Sequence, residues 1–239
     1  MPVYRLTRRL AFPPPEHATR EGLVAVGGDA SPERLLLAYA QGIFPWPSPG
    51  EPLLWFSPDP RFVLVPARAH LPRSLRKRVR GGGFEVRLDT RFVDVMRGCA
   101  AQPRPGQDGT WITEELVEGF AALHARGLAH SVETYRDGEL VGGLYGVSLG
   151  RAFFGESMFA RAPDASKVAF AILLGQLVSW DFALVDCQVR TAHLARFGAE
   201  DWPRDRFLSA LRDALAGPTR VGRWELEITP DQALAALPG

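Results

Sequence analysis

Between Gly142 and Gln188 a strand, a helix and a second strand follow one another, and the helix is apolar nearly all round. From Ala165 to Trp180 the chain reads Ala-Ser-Lys-Val-Ala-Phe-Ala-Ile-Leu-Leu-Gly-Gln-Leu-Val-Ser-Trp, which leaves no face wide enough for solvent. Such a helix must be covered, and with strands flanking it in sequence the natural cover is a sheet. Phe153-Phe154-Gly155-Glu156-Ser157-Met158-Phe159 leads in, and Leu184-Val185-Asp186-Cys187-Gln188-Val189 leads out. Strand, helix and strand in this order make a crossover.

The surrounding elements point to antiparallel pairing. A strand is expected near Phe84 to Leu88, a helix around Phe92 to Cys99, and a second helix from Thr113 to Arg126 with Leu116, Val117, Phe120 and Leu123 as its apolar stripe. Asp137-Gly138 marks a two-residue hairpin between Ser131 to Tyr135 and Glu139 to Val147. A last helix reads from Arg206 to Leu215, and a strand from Arg223 to Ile228. The expected class is α+β, with a mostly antiparallel sheet and one buried crossover helix.

The first sixty or so residues differ, being punctuated by proline. They hold one clear helix, capped by Ser31, with Pro32 in its first turn, stopped at Gly42 and burying Leu35, Leu36 and Tyr39. In Ile43-Phe44-Pro45-Trp46-Pro47-Ser48-Pro49-Gly50 three prolines stiffen the backbone, so Trp46 is held in place. Gly81-Gly82-Gly83 marks a break. The expected division is a small N-terminal domain over 1–80, a larger domain over 81–216 and a tail over 217–239.

Lys and Arg number 28 against 27 Asp and Glu, so no global positive field advertises a nucleic-acid partner. Any such binding is local. The dense basic run is His70 to Arg80, where helical spacing places Arg73, Arg76, Lys77 and Arg80 on one face. Cys99 and Cys187 lie far apart, which disfavours a disulfide framework and fits a reducing cytoplasm. Neither a targeting segment nor a membrane span is legible. His17, His70, His124, His130 and His193 are isolated, the cysteines have no metal spacing, and His193 reads as structural. No phosphate loop with a Walker lysine and no dinucleotide fingerprint occur. No cofactor is expected, and any reaction should use a substrate that is already activated.

Polar groups recur where aliphatics would be ordinary. Alternation along a strand puts Asp186 with Gln188 on one face, and Glu156 with Met158 on one face. Hydrogen-bonding capacity in an apolar frame is how small-ligand sites are built.

Ordered blocks then carry a resemblance. They are Gly27-Gly28-Asp29, Gly42 to Trp46, Trp55 to Arg61, Gly109 to Thr113, His130 to Glu133, Leu140 to Gly146, Gly155 to Phe159, Ala165-Ser166-Lys167 and Asp186-Cys187-Gln188. From about Leu10 to Leu211 the chain resembles the leucyl/phenylalanyl-tRNA-protein transferase family. The resemblance implies a small N-terminal domain beside an acetyltransferase-like (GNAT-type) domain. It also implies transfer of Leu or Phe, and less readily Met, from aminoacyl-tRNA to proteins with N-terminal Arg or Lys, creating a degradation signal in the bacterial cytoplasm. An aminoacyl ester is an activated donor, so the missing cofactor motifs are in keeping. The resemblance points to Asp186 and Gln188 as the catalytic pair, with Asp186 expected to attract the cationic N-terminus and Gln188 to accept a hydrogen bond from the amine. It makes Trp46 and Trp111 the surfaces for the terminal adenine. Leu144, Phe153 and Met158 are candidates for the side-chain slot, with Glu156 and Tyr39 as further substrate-binding residues. Arg73, Arg76, Lys77 and Arg80 become candidates for gripping tRNA phosphates. Thr191, where asparagine is expected, and Phe154, where a smaller residue is common, depart from the pattern. An acetyl-coenzyme A enzyme and a noncatalytic RNA-binding module are the alternatives. The first would need a glycine-containing turn before the buried helix, but that turn reads Ala160-Arg161-Ala162-Pro163-Asp164.

Overall fold

The computed structural model describes residues 3–47, 50–102 and 110–238. Ser48 and Pro49 of the proline loop, and Gly109 of the Trp111 block, lie outside the described residues. The chain opens with β1 (Tyr4–Leu6), β2 (Leu23–Gly27), α1 (Pro32–Ala40), β3 (Phe44–Pro45) and β4 (Leu54–Phe56). These strands form a small sheet in the order β1-β2-β4-β3. Next come β5 (Arg61–Leu64), α2 (Arg73–Arg80), β6 (Glu85–Leu88), α3 (Phe92–Ala100), α4 (Glu114–Ala125), β7 (Ala129–Arg136), β8 (Glu139–Leu149) and β9 (Ala152–Ala160). The crossover helix α5 (Ala165–Ser179) leads to β10 (Leu184–Asp186), and α6 (Ala192–Ala195), β11 (Glu200–Trp202), α7 (Arg204–Leu215) and α8 (Pro230–Ala235) follow.

The large sheet has seven strands in the order β11-β5-β10-β9-β8-β7-β6. Among the described residues its one parallel pair is β9 with β10; the others are antiparallel. The class is thus mixed α+β, with a small N-terminal sheet beside a larger one. Asp137 and Gly138 both adopt positive φ, 53° and 79°, as a tight two-residue hairpin between β7 and β8 requires. Helix α5 presses directly on the sheet at Gly142, where a Cβ would stand 2.5 Å from that of Ala165. One core lies between the large sheet and α2, α5 and α8; the other face is covered by α1, α3, α4 and α7. No helix among the described residues is long and apolar enough to cross a membrane.

One expected element is not formed, and both ends of the large sheet's cores draw on neighbouring segments. The chain changes sheets between Phe56 and Arg61, well before Gly81-Gly82-Gly83, and α2 buries Leu75 and Val79 in the core it shares with α5. Those glycines follow the C-terminus of α2. The segment after Gly217 is equally integral: Trp224 is fully buried, and Gly175 leaves the space that α8 needs to approach α5 at Ala233. Finally, Arg223 to Ile228 is not a strand. Its backbone donors go to side chains instead, Trp224 N–H to Asp89 Oδ2 (2.7 Å) and Glu227 N–H to Gln176 Oε1 (2.9 Å). Ser31 occupies the cap position of α1, but its side chain makes no capping bond.

Candidate active site

Strands β9 and β10 run in parallel only as far as the pair Phe154 and Asp186. Beyond it both depart from regular geometry. On β9, Gly155 faces Gly146 and Ser157 faces Tyr145, so Glu156 is the extra residue of a bulge. After β10, Gln188 takes a positive φ of 62°, so the strand does not reach Val189. A cavity of about 470 Å³ opens where the two chains part, lined by Gly155 to Met158 on one side and Cys187 to Val189 on the other.

The bulge decides which side chains face which core. Phe153 and Met158 share one core with Leu144, whereas Phe154 and Phe159 belong to the other. Simple alternation would separate Phe153 from Met158, so parity does not carry across Glu156. Gly146, opposite the bulge, admits no Cβ, because the carbonyl oxygen of Phe154 would lie 2.2 Å away.

Leu144, Phe153 and Met158 all line the cavity, as do Trp46, Trp111, Glu156 and Gln188. Phe44, Pro45 and Trp46 make one wall, and Trp46 meets Phe56 edge-on at 6.0 Å. The Gln188 amide Nε2 donates to Glu156 Oε1 at 2.6 Å, which leaves its carbonyl oxygen available to a donor in the cavity. Burial, reinforced by the charge of Asp186, pushes the Glu156 carboxyl up to about 8. Glu156 is therefore mostly protonated at neutral pH. Its second oxygen has no hydrogen-bond partner within strict geometry, although the Tyr39 hydroxyl lies close enough for each group to influence the other's proton affinity.

Two expected site residues stand behind the cavity. Asp186 is fully buried and does not line it. Its Oδ1 accepts from Arg61 Nε (2.8 Å) and from the Gln188 backbone N–H (2.9 Å), and its Oδ2 accepts from Arg61 Nη2 (2.6 Å). A carboxylate so engaged does not present itself to an incoming ammonium. Tyr39 is also fully buried, packed on Phe154 at 5.0 Å, and reaches the cavity only through Glu156. The basic face of α2 divides as well. Arg76 donates to the carbonyls of Leu234, Leu237 and Pro238, and Arg80 pairs with Asp231 at 3.6 Å, while Arg73 and Lys77 stay exposed. Arg76 is thus an anchor for the C-terminal segment.

Sequence reasoning did not single out two polar residues found at the cavity or directly behind it. Arg61 directly precedes the apolar run Phe62-Val63-Leu64, and an arginine leading such a strand demands a partner, which was its signal. His193 lines the cavity, and its buried Nε2 has no hydrogen-bond partner. Burial, then the charges of Lys167 and Arg196, hold its pKa below the ordinary histidine value, so the ring is neutral. Burial also pushes the Cys187 thiol far up, which excludes it as a nucleophile at neutral pH. Among the described residues, no three His, Cys, Asp or Glu side chains are grouped to hold a metal.

The family model described as leucyl/phenylalanyl-tRNA protein transferase matches residues 63–212, and that of the N-terminal domain of the same family matches residues 28–59. A relative from Myxococcus xanthus (strain DK1622), named leucyl/phenylalanyl-tRNA--protein transferase, is 62% identical over 226 residues, covering 94% of this chain and 97% of its own. Relatives of the same name from Anaeromyxobacter sp. (strain Fw109-5) and Desulfatibacillum aliphaticivorans are 57% and 55% identical, each over 95% of this chain and 97% of theirs. The chain belongs to the leucyl/phenylalanyl-tRNA-protein transferase family. It is a transferase, and the two family matches meet where the chain passes from the small sheet to the large one. Both departures from the family pattern find a place in the transferase structure. Thr191 caps α6, its Oγ1 accepting from Leu194 N–H at 3.2 Å, and Phe154 packs on Tyr39.

Proposed function

We propose that the enzyme moves a leucyl or phenylalanyl group, methionyl less readily, from aminoacyl-tRNA to the α-amino group of proteins beginning with Arg or Lys. The product is a degradation signal, and the setting is the bacterial cytoplasm. The larger domain serves as an acetyltransferase-like scaffold, a reading supported by its antiparallel sheet with one parallel crossover at the site. The observation that carries the reading is the Gln188 amide, bonded through its nitrogen to Glu156 and lining a cavity walled by Trp46, Trp111, Leu144, Phe153 and Met158.

In this mechanism the aminoacyl side chain fills the slot of Leu144, Phe153 and Met158, and the terminal adenine stacks on Trp46 and Trp111. Met158 suits a slot that takes both Leu and Phe, since a thioether adapts its shape. The amine nitrogen attacks the ester carbonyl carbon, the bond to the ribose oxygen breaks, and that oxygen leaves with a proton from the amine, directly or through water. Gln188 accepts a hydrogen bond from the attacking amine and orients it. Asp186 acts through Gln188, whose backbone it holds. Glu156, titrating at about 8, matches an α-amino group near ~8 and offers the ribose or the amine a hydrogen-bond partner. Arg73 and Lys77 grip tRNA phosphates, with Arg80 beside them.

Labelled leucyl-tRNA and an Arg-initiated peptide, with acetyl-coenzyme A in a parallel reaction, test the proposal. Label in the peptide is expected. Acetylation without aminoacylation, or tRNA binding without any transfer, would overturn it in favour of an acetyltransferase or a noncatalytic module.

A further inference from the structure

The Arg61 guanidinium touches structures that form both sides of the cavity. Two of its nitrogens bond to Asp186, and the third, Nη1, donates to the Gly42 carbonyl at 3.0 Å. Its faces are covered by the rings of Phe44 at 4.7 Å and Phe207 at 4.5 Å. Gly42 begins the segment that carries the Phe44-Pro45-Trp46 wall. Asp186, on the other side, accepts the backbone N–H of Gln188.

That last bond constrains the residue that faces the cavity. Gln188 lies in the left-handed region, which non-glycine residues occupy only where surroundings hold them. The Asp186 carboxylate supplies that hold, and the rigid guanidinium fork keeps the carboxylate from turning. A lysine would supply charge without the fork.

We infer that Arg61 is a positioning residue for the transfer proposed above, setting the distance between the aromatic wall that receives the aminoacyl-tRNA terminus and the Gln188 amide that orients the amine. Binding of the aminoacyl donor and alignment of the nucleophile then depend on one buried side chain. The inference rests on that reaction, but wild-type enzyme assayed alongside separates the two. An inactive wild type removes the reaction; an active wild type that is indifferent to Arg61 removes only the positioning role.

The test is a double-mutant cycle with Arg61→Lys and Asp186→Asn, measuring kcat, KM for aminoacyl-tRNA and thermal melting. Arg61→Lys should lower kcat on the order of 100-fold, as misalignment near an ångström does, and raise KM for aminoacyl-tRNA through loss of the Gly42 bond. Asp186→Asn should lower kcat while leaving that KM in place. The double variant should be no slower than the slower single one, because both act through Gln188. Multiplying losses, or an Arg61→Lys enzyme within about twofold of wild type, would overturn the inference. Phe207→Leu covers the case in which Arg61→Lys does not fold, since it uncovers one guanidinium face and leaves the ion pair intact. It should raise KM for aminoacyl-tRNA about threefold, and unchanged kinetics in that folded variant would be equally fatal.

Discussion

Two buried polar networks occupy opposite parts of the large sheet, and one of them opens on the cavity lined by Glu156 and Gln188. Near β6 and β7, Asp89 accepts from His130 Nδ1 (2.8 Å), Ser131 N–H (2.8 Å) and Trp224 N–H (2.7 Å), and the His130 ring stacks on Trp224 at 3.7 Å. This knot ties the C-terminal segment to the sheet. At the seam of β9 and β10, Arg61, Asp186, Gln188 and Glu156 form a network of similar burial that ends at the cavity in an available amide oxygen. A hidden charge is therefore not in itself a sign of chemistry. What distinguishes a site is where its last hydrogen-bonding group points.

The sharpest test of this contrast exchanges one residue in each network. Gln188→Ala should reduce single-turnover transfer on the order of 100-fold with little change in melting temperature. Asp89→Ala should do the reverse, removing roughly 3 kcal/mol or more of stability by orphaning buried donors, while activity per folded molecule persists. If Asp89→Ala silenced a protein that melts like wild type, the knot would need a role in catalysis.

Acidity should separate the networks next, because their slopes against pH are opposite. Glu156 titrates at about 8 when folded, against an ordinary 4.5. Between those values the unfolded chain ionises first, so stability falls as pH rises through that window. Glu156→Gln should abolish that loss, visible in melting curves taken from acid to alkaline pH. Burial holds the His130 pKa below 6.5 despite its bond to Asp89, so its contribution is present at neutral pH and fades on acidification as the unfolded imidazole protonates. Melting of a His130→Gln variant should be less sensitive to acid than wild type. Glu156→Gln and wild-type curves that run parallel would remove the buried-carboxyl account.

Smaller effects should confine themselves to one side of the contrast. Met158→Ala should alter the ratio of Leu to Phe transferred by roughly 10-fold, and an unchanged ratio would remove Met158 from the slot. Lys77→Ala, an exposed residue outside both networks, should weaken binding of all aminoacyl-tRNAs alike and reduce the salt dependence by about one unit. A change confined to one tRNA would indicate base contacts instead.

The sequence is legible where local rules act alone. The Asp137-Gly138 turn, the all-apolar α5 and the stripe of α4 follow from composition and spacing. It is far less legible where one residue breaks a period or a distant partner claims a group. Alternation misses the bulge at Glu156 because nothing local marks the residue that is skipped. Asp186 looks like a group offered to substrate until Arg61, a long way off in the chain, is seen to hold both its oxygens. Arg76 similarly shares a helical face with Lys77 in sequence, yet serves the carbonyls of the C-terminal segment.

The skipped residue on β9 also limits how this protein can be altered. Deleting Glu156 would restore an unbroken pleat and leave Met158 on the Phe153 side, since the two would then stand an even number of steps apart, but it would strip the chamber of its carboxyl and the Gln188 amide of its partner. Straightening the strand at its present length would instead exchange the inside of the chamber for its outside, so the slot is adjustable by substitution only while the extra residue stays.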